Sequence, residues 1–117
     1  MTRPVLVVDD DAAIREAVRD VLQGEGIEVD LAADGLEALA KARQERPRLV
    51  LLDMRMPRMD GWRFAQALRE SGLVVPVVVM TAAADARRWA AEIGAVGLVE
   101  KPFAMSELIG AVERYSA

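Results

Sequence analysis

The sequence predicts an α/β fold built on a five-stranded parallel sheet in the order 2-1-3-4-5. Strand-like and helix-like periods alternate five times along the chain. The first, third and fourth apolar runs are nearly continuous Val and Leu, as expected of strands covered on both faces. Polar residues follow directly on four of the runs, and ligands of open parallel sheets bind just there, outside the carboxyl ends of the strands. Right-handed crossovers that cover both faces then give the strand order.

Val5-Leu6-Val7-Val8 is the first strand and runs into Asp9-Asp10-Asp11. In the helix that follows, Ile14, Val18, Val21 and Leu22 form one apolar stripe, closed near its end by Gly24 and Gly26. Asp11 stands directly before Ala12-Ala13-Ile14 and is placed as the N-cap. Ile27-Glu28-Val29-Asp30-Leu31 alternates apolar and charged, which fits an edge strand with one wet face. Leu36, Leu39, Ala40 and Arg43 are expected to continue the helical stripe in the second helix. Glu37 and Lys41 pair there at i,i+4, and Pro47 blocks continuation. Leu49-Val50-Leu51-Leu52 runs into Asp53, and Phe64, Ala65 and Leu68 mark a third helix ended by Ser71-Gly72. Val77-Val78-Val79-Met80 runs into Thr81. The short run Val96-Gly97-Leu98-Val99 contains a glycine, is placed at the other edge, and leads into Glu100-Lys101-Pro102. Leu108, Ile109 and Val112 give the last helix its stripe, while Asp34-Gly35 and Asp60-Gly61 read as helix-start and turn signals.

The 117 residues are the size of one domain with a real core, and the domain is read as residues 1–117. A hydrophobic fraction of 53% argues against disorder, no apolar run reaches the length of a membrane span, and no secretory signal precedes the first strand. A soluble, cytoplasmic domain is the expectation. The absence of cysteine excludes a disulfide scaffold and zinc–thiolate chemistry, and the absence of histidine excludes phosphoryl donation from an imidazole of this chain. A net charge of −4 argues against nucleic acid as a direct partner. The basic run Lys41, Arg43, Arg46 and Arg48 is too little for DNA without a recognition helix, and Arg63, Arg69, Arg87 and Arg88 read as solvated helix faces.

If the runs are neighbouring parallel strands, carboxylates, a hydroxyl and an ammonium converge on one crevice. Two carboxylates ~5 Å apart at an effective dielectric of ~20 repel by roughly 3 kcal/mol. A hard divalent ion with oxygen ligands relieves that repulsion, and Mg²⁺ typically takes one or two carboxylates plus waters and phosphate. Asp53 sits at a strand-to-loop junction before Met54-Arg55-Met56-Pro57, where a carboxylate is able to attack a phosphoryl group and form an aspartyl phosphate. Phosphoryl transfer asks mainly for in-line positioning and for neutral surroundings of the oxygens, which Lys101 and a metal supply, with Thr81 as a hydroxyl donor. An isolated strand-end Thr or Lys is more often structural; the joint arrangement is what carries the reading.

The motifs Val7-Val8-Asp9-Asp10-Asp11, Leu52-Asp53-Met54-Arg55-Met56-Pro57, Met59-Asp60-Gly61, Thr81-Ala82 and Lys101-Pro102-Phe103 occur in order and at matching separations. With these the sequence resembles the receiver domain of two-component response regulators, the CheY-like family, over essentially its whole length. The resemblance implies a flavodoxin-like (βα)5 three-layer sandwich. It implies that Asp53 is the phosphoacceptor, that Asp10 ligates Mg²⁺ directly, that Asp9 holds the metal through water, and that the backbone carbonyl of Arg55 is a further ligand. Thr81, followed by Ala82, would be the switch hydroxyl, Lys101 would contact the phosphoryl group or the free Asp53 carboxylate, and Lys101–Pro102 would be a cis peptide. The partners it implies are a sensor histidine kinase or phosphotransfer protein, and a downstream protein target or an output domain outside this chain, with no membrane role.

Two departures from the family pattern stand out. The family usually carries Tyr or Phe three residues before the Lys, and here that position is Leu98, which has no hydroxyl; Trp89 lies in the same region and is the alternative to Leu98 as the readout, although a lone Trp is most simply a packing residue. The segment from Thr81 to Gly94 is also about two residues shorter than in many receivers, which predicts a fourth helix that starts late or is short. Arg55 and Ala83, two residues beyond Asp53 and Thr81, occupy positions that flank the path of the attacking water in the family, and slow to moderate self-dephosphorylation is expected. A haloacid-dehalogenase-like phosphatase also uses a strand-end Asp with Mg²⁺ but needs a second Asp two residues on, where this chain has Arg55. A receiver-shaped module that is never phosphorylated is the other alternative, opposed by the intact set Asp9, Asp10, Asp53, Thr81 and Lys101. The chain ends one helix after Lys101, so a stand-alone regulator and a piece of a longer regulator or hybrid kinase are both open.

Overall fold

The computed structural model describes residues 3–82 and 84–116; the expectation for Ala83 lies outside them. Five strands and five helices alternate: β1 (Val5–Val8), α1 (Ala12–Gly24), β2 (Val29–Ala32), α2 (Gly35–Gln44), β3 (Leu49–Asp53), α3 (Gly61–Glu70), β4 (Val77–Thr81), α4 (Ala86–Glu92), β5 (Gly97–Glu100) and α5 (Met105–Tyr115). All neighbouring strands are parallel and the sheet order is β2-β1-β3-β4-β5. The wet, alternating strand and the glycine-containing strand are the two edges, as their sequences predict.

Side-chain alternation along the strands divides the core into two halves. Leu6, Val8, Val50, Leu52 and Val79 pack with Ala38 and Leu39 of α2, Phe64 and Leu68 of α3, and Trp89 of α4. Val5, Val7, Leu49, Leu51, Val78 and Met80 pack with Val18 and Leu22 of α1 and with Leu108 and Val112 of α5. The result is a three-layer sandwich in which the central strands are wholly dry, which is why their sequences carry no alternation.

One stripe differs from expectation. In α2 the buried face is Gly35, Ala38, Leu39 and Ala42, whereas Leu36 is 45% exposed and Ala40 and Arg43 face solvent. The i, i+3, i+4, i+7 spacing of Gly35, Ala38, Leu39 and Ala42 sets the buried face, and Leu36 falls outside it. Gly35 has no room for a side chain: a Cβ there would stand 2.5 Å from the Met59 carbonyl oxygen. Arg43 instead donates to Ser71 Oγ at 3.0 and 3.2 Å. The Glu37–Lys41 pair forms at 3.3 Å. Helix α4 has only seven residues and its N-cap, Asp85, makes no side-chain capping bond, in keeping with the shortened segment.

Candidate functional site

Parallel register brings the strand ends together. Val8 is opposite Leu52, so Asp9 follows β1 beside Asp53 at the end of β3; Thr81 is opposite Glu100, so Lys101 follows β5 beside Thr81. Asp9, Asp53 and Thr81 are buried, and Asp10 is exposed on the rim. Carboxylate oxygens of Asp9, Asp10 and Asp53 all lie within 4.8 Å of one another. Asp11 stands apart from this trio as the N-cap of α1, accepting from the Ala13 and Ile14 N–H groups at 2.9 and 3.4 Å.

Lys101 is the cation of the crevice. Its Nζ donates to Asp9 Oδ2 at 2.6 Å and stands 3.9 Å from Asp53 Oδ2. The fully buried Asp9 takes the shorter contact because a charge without water depends most on a paired cation. Asp9 also accepts from the Asp11 N–H at 2.9 Å, and its carbonyl accepts from Arg15 Nη1 at 2.7 Å. Asp53 is held more loosely than Asp9, accepting from the Arg55 N–H at 3.4 Å. Burial, then the charge of Asp9, push the Asp53 carboxyl up from 3.8 to about 6, against the opposing pull of Lys101.

These three carboxylates fit a hard divalent cation. Their oxygens are already gathered, they are the donor type Mg²⁺ prefers, and the Asp53 carboxyl is raised by burial first and then by the charge of Asp9, which a cation would offset.

Asp53, Arg55, Thr81, Ala82 and Lys101 line an open cleft of about 440 Å³. The Lys101–Pro102 peptide is cis. Thr81 accepts the Lys101 N–H on its carbonyl at 2.9 Å, which ties β4 to the β5–α5 connection. Leu98 is half-buried against the α2–α3–α4 side of the core. Trp89 is not a solitary packing residue: its ring meets Trp62 edge-on at 4.9 Å, and the Arg55 guanidinium lies 5.0 Å from its centroid.

The loop after Asp53 is pinned by residues the sequence did not single out for this purpose. Arg58 adopts a positive φ of 65° and clamps Asp34, with Nε at 2.8 Å and Nη2 at 2.5 Å from Asp34 Oδ2. Burial of Asp34 works to raise its pKa, but the Glu37 N–H and the Arg58 guanidinium outweigh it and hold the carboxyl below its usual value. Gly61 allows the start of α3 to lie against the end of β3, because a Cβ there would stand 2.8 Å from Met54 Cα and 3.2 Å from the Asp53 carbonyl oxygen. Asp34-Gly35 and Asp60-Gly61 are indeed N-cap and first helical residue of α2 and α3. No local signal pairs Asp34 with Arg58, since they are distant in sequence.

A parallel sheet in this order, with an acidic crevice and a paired lysine at its carboxyl edge, defines a phosphoacceptor class of signalling domain. The family model described as the response regulator receiver domain matches residues 5–113, and the chain belongs to that family, the phosphoacceptor domains of two-component systems. It is 41% identical over 111 residues to the response regulator MprA of Mycobacterium bovis, covering 93% of this chain and 48% of that protein. To the MprA of Mycobacterium avium it is 42% identical over 107 residues, covering 90% and 47%. The chain thus spans about half the length of the curated relatives it matches. Among solved structures, the chemotaxis response regulator CheY4 of Vibrio cholerae superposes with a TM-score of 0.90 at 35% identity, covering 98% of this chain and 99% of that one. The receiver domain of NtrX from Brucella abortus gives 0.87 at 35% identity, covering 95% and 96%. No helix among the described residues is long and apolar enough to cross a membrane.

Proposed function

We propose that Asp53 is the phosphoacceptor and that Asp9, Asp10 and Asp53 hold Mg²⁺, with Asp10 and Asp53 as direct ligands, Asp9 acting through water and the Arg55 carbonyl completing the set. The observation that carries this reading is the gathering of the Asp9, Asp10 and Asp53 carboxylates at the carboxyl edge of the sheet, with Lys101 beside Asp9 and Asp53. The phosphoryl group comes from the phosphoimidazole of a partner histidine kinase or phosphotransfer protein in the cytoplasm. One carboxylate oxygen of Asp53 attacks phosphorus, the P–N bond breaks, and the imidazole leaves with the electron pair and takes up a proton. Mg²⁺ held by these residues would supply positive charge to offset that of the phosphoryl oxygens. Lys101 adds a second cation at the acceptor, and the Thr81 hydroxyl donates to a phosphoryl oxygen once one is present. Ala82 leaves the mouth of the cleft open. Phosphorylation then biases a protein-interaction surface toward a downstream target or an output domain outside this chain. The domain assists its own phosphorylation and hydrolysis without metabolic turnover.

Intact mass after incubation with a small acyl phosphate, with and without Mg²⁺, tests this reading. The expected result is a single phosphoryl adduct that needs Mg²⁺ and is lost in Asp53→Asn. An adduct that persists in the variant would overturn it. The long cation at Arg55 also shields the acyl phosphate from water, so Arg55→Ala should release phosphate several-fold faster; an unchanged lifetime would remove Arg55 from hydrolysis.

A further inference from the structure

Arg55 is exposed on the lip of the Asp53 cleft, yet its guanidinium lies over an aromatic face, 5.0 Å from the centroid of Trp89. Trp89 is buried on α4 and meets Trp62 of α3 edge-on at 4.9 Å, with 69° between the ring planes. Trp62 Nε1 in turn donates to Glu92 Oε1 at 3.1 Å, back on α4. A continuous chain of four side chains therefore runs from the rim of the cleft into the α3–α4 seam. It ends on α4, at seven residues the shortest helix among the described residues, whose N-cap makes no side-chain bond. Leu98, in contrast, carries no polar atom with which to report on the cleft.

We propose that Arg55 is shared between the indole face of Trp89 and the phosphoryl group on Asp53, and that its transfer from one to the other carries the phosphorylation signal to the α3–α4 seam. This rests on Asp53 being the acceptor. A phosphoryl group brings anionic oxygens into a cleft that Arg55 already lines, and a guanidinium pairs with phosphate more strongly than with a ring quadrupole. When Arg55 leaves, Trp89 loses the cation that caps its face. The Trp89–Trp62–Glu92 contacts then hold α4 to α3 without their tie to the β3–α3 loop, and α4 is free to settle differently against α3. The altered surface is the seam bearing Trp62 and Glu92.

Tryptophan emission of the full chain, read with intact mass on the same sample before and after acyl phosphate and Mg²⁺, tests this. The wild type should red-shift on phosphorylation as water reaches the Trp89 face, and Trp62→Phe should keep that shift because Trp89 is its source. Arg55→Ala should be red-shifted already and move no further although its mass shows the adduct, while Arg55→Lys should retain part of the response. A phosphorylated wild type with unchanged emission, or an Arg55→Ala protein with the full shift, would overturn the proposal. If no adduct forms at all, the acceptor reading fails and this proposal falls with it, and the mass measurement identifies that case.

Discussion

Replacing Asp53 by asparagine should make the metal-free domain more stable, although it removes the proposed phosphoacceptor. Asp53 is 7% exposed and shares its crevice with Asp9 and Asp10, and its carboxyl is raised from 3.8 to about 6. A displacement of that size corresponds to roughly 3 kcal/mol of differential interaction, and solvent in the open cleft screens it to about 1–2 kcal/mol. Because the folded-state pKa lies above the unfolded value, the folded protein holds the extra proton between these two pH values. The wild type therefore loses stability as pH rises through that window, and the deficit is complete above it. Asparagine keeps the shape, leaves the short Lys101–Asp9 pair intact at 2.6 Å, and gives up only the 3.9 Å contact to Lys101. At pH 8 without Mg²⁺ its melting temperature should exceed that of the wild type by on the order of 5 °C. The gap should close below pH 4 and shrink at pH 8 when Mg²⁺ is added, since the ion stabilises the wild type by mass action. Thermal melts from pH 4 to 8, with and without Mg²⁺, measure it. A variant no more stable than the wild type at pH 8, or one equally favoured at both ends of the range, would refute the electrostatic account.

Lys101→Ala leaves the buried Asp9 carboxylate without its short cation contact and should destabilise the metal-free domain by about 3 kcal/mol, with partial recovery in Mg²⁺; urea denaturation at both conditions checks this. Arg58→Ala loses the clamp on Asp34 while keeping the unfavourable positive φ, for a cost of about 1–2 kcal/mol. Arg58→Gly should cost less than the alanine variant because glycine accepts that backbone conformation, and reversal of this order in urea melts would show that the backbone, not the clamp, is misread.

Much of this was legible in the sequence, for physical reasons that differ by residue. The runs at Val5, Leu49 and Val77 are apolar on both faces, so a covered parallel sheet was the natural reading, and polar residues at their ends mark the crevice. Asp11 could be told from Asp9 and Asp10 because capping is a local contact with the next helix. Leu36 weighs more on a hydropathy pattern than Gly35 and Ala38, so the pattern draws the α2 stripe through Leu36, whereas the buried face runs through Gly35, which stands against Met59 with no room for a Cβ. Long-range contacts stayed hidden: nothing local announces that Arg58 reaches Asp34, that Trp62 and Trp89 meet, or that Lys101 binds Asp9 more closely than Asp53.

The most direct test of the central claim is the identity of the phosphorylated residue. Borohydride reduction of the phosphorylated protein converts an aspartyl phosphate to homoserine, and peptide mass mapping then locates it. The account predicts homoserine at position 53 alone. Homoserine at position 9 or 10, or a phosphorylated protein that resists reduction, would contradict it.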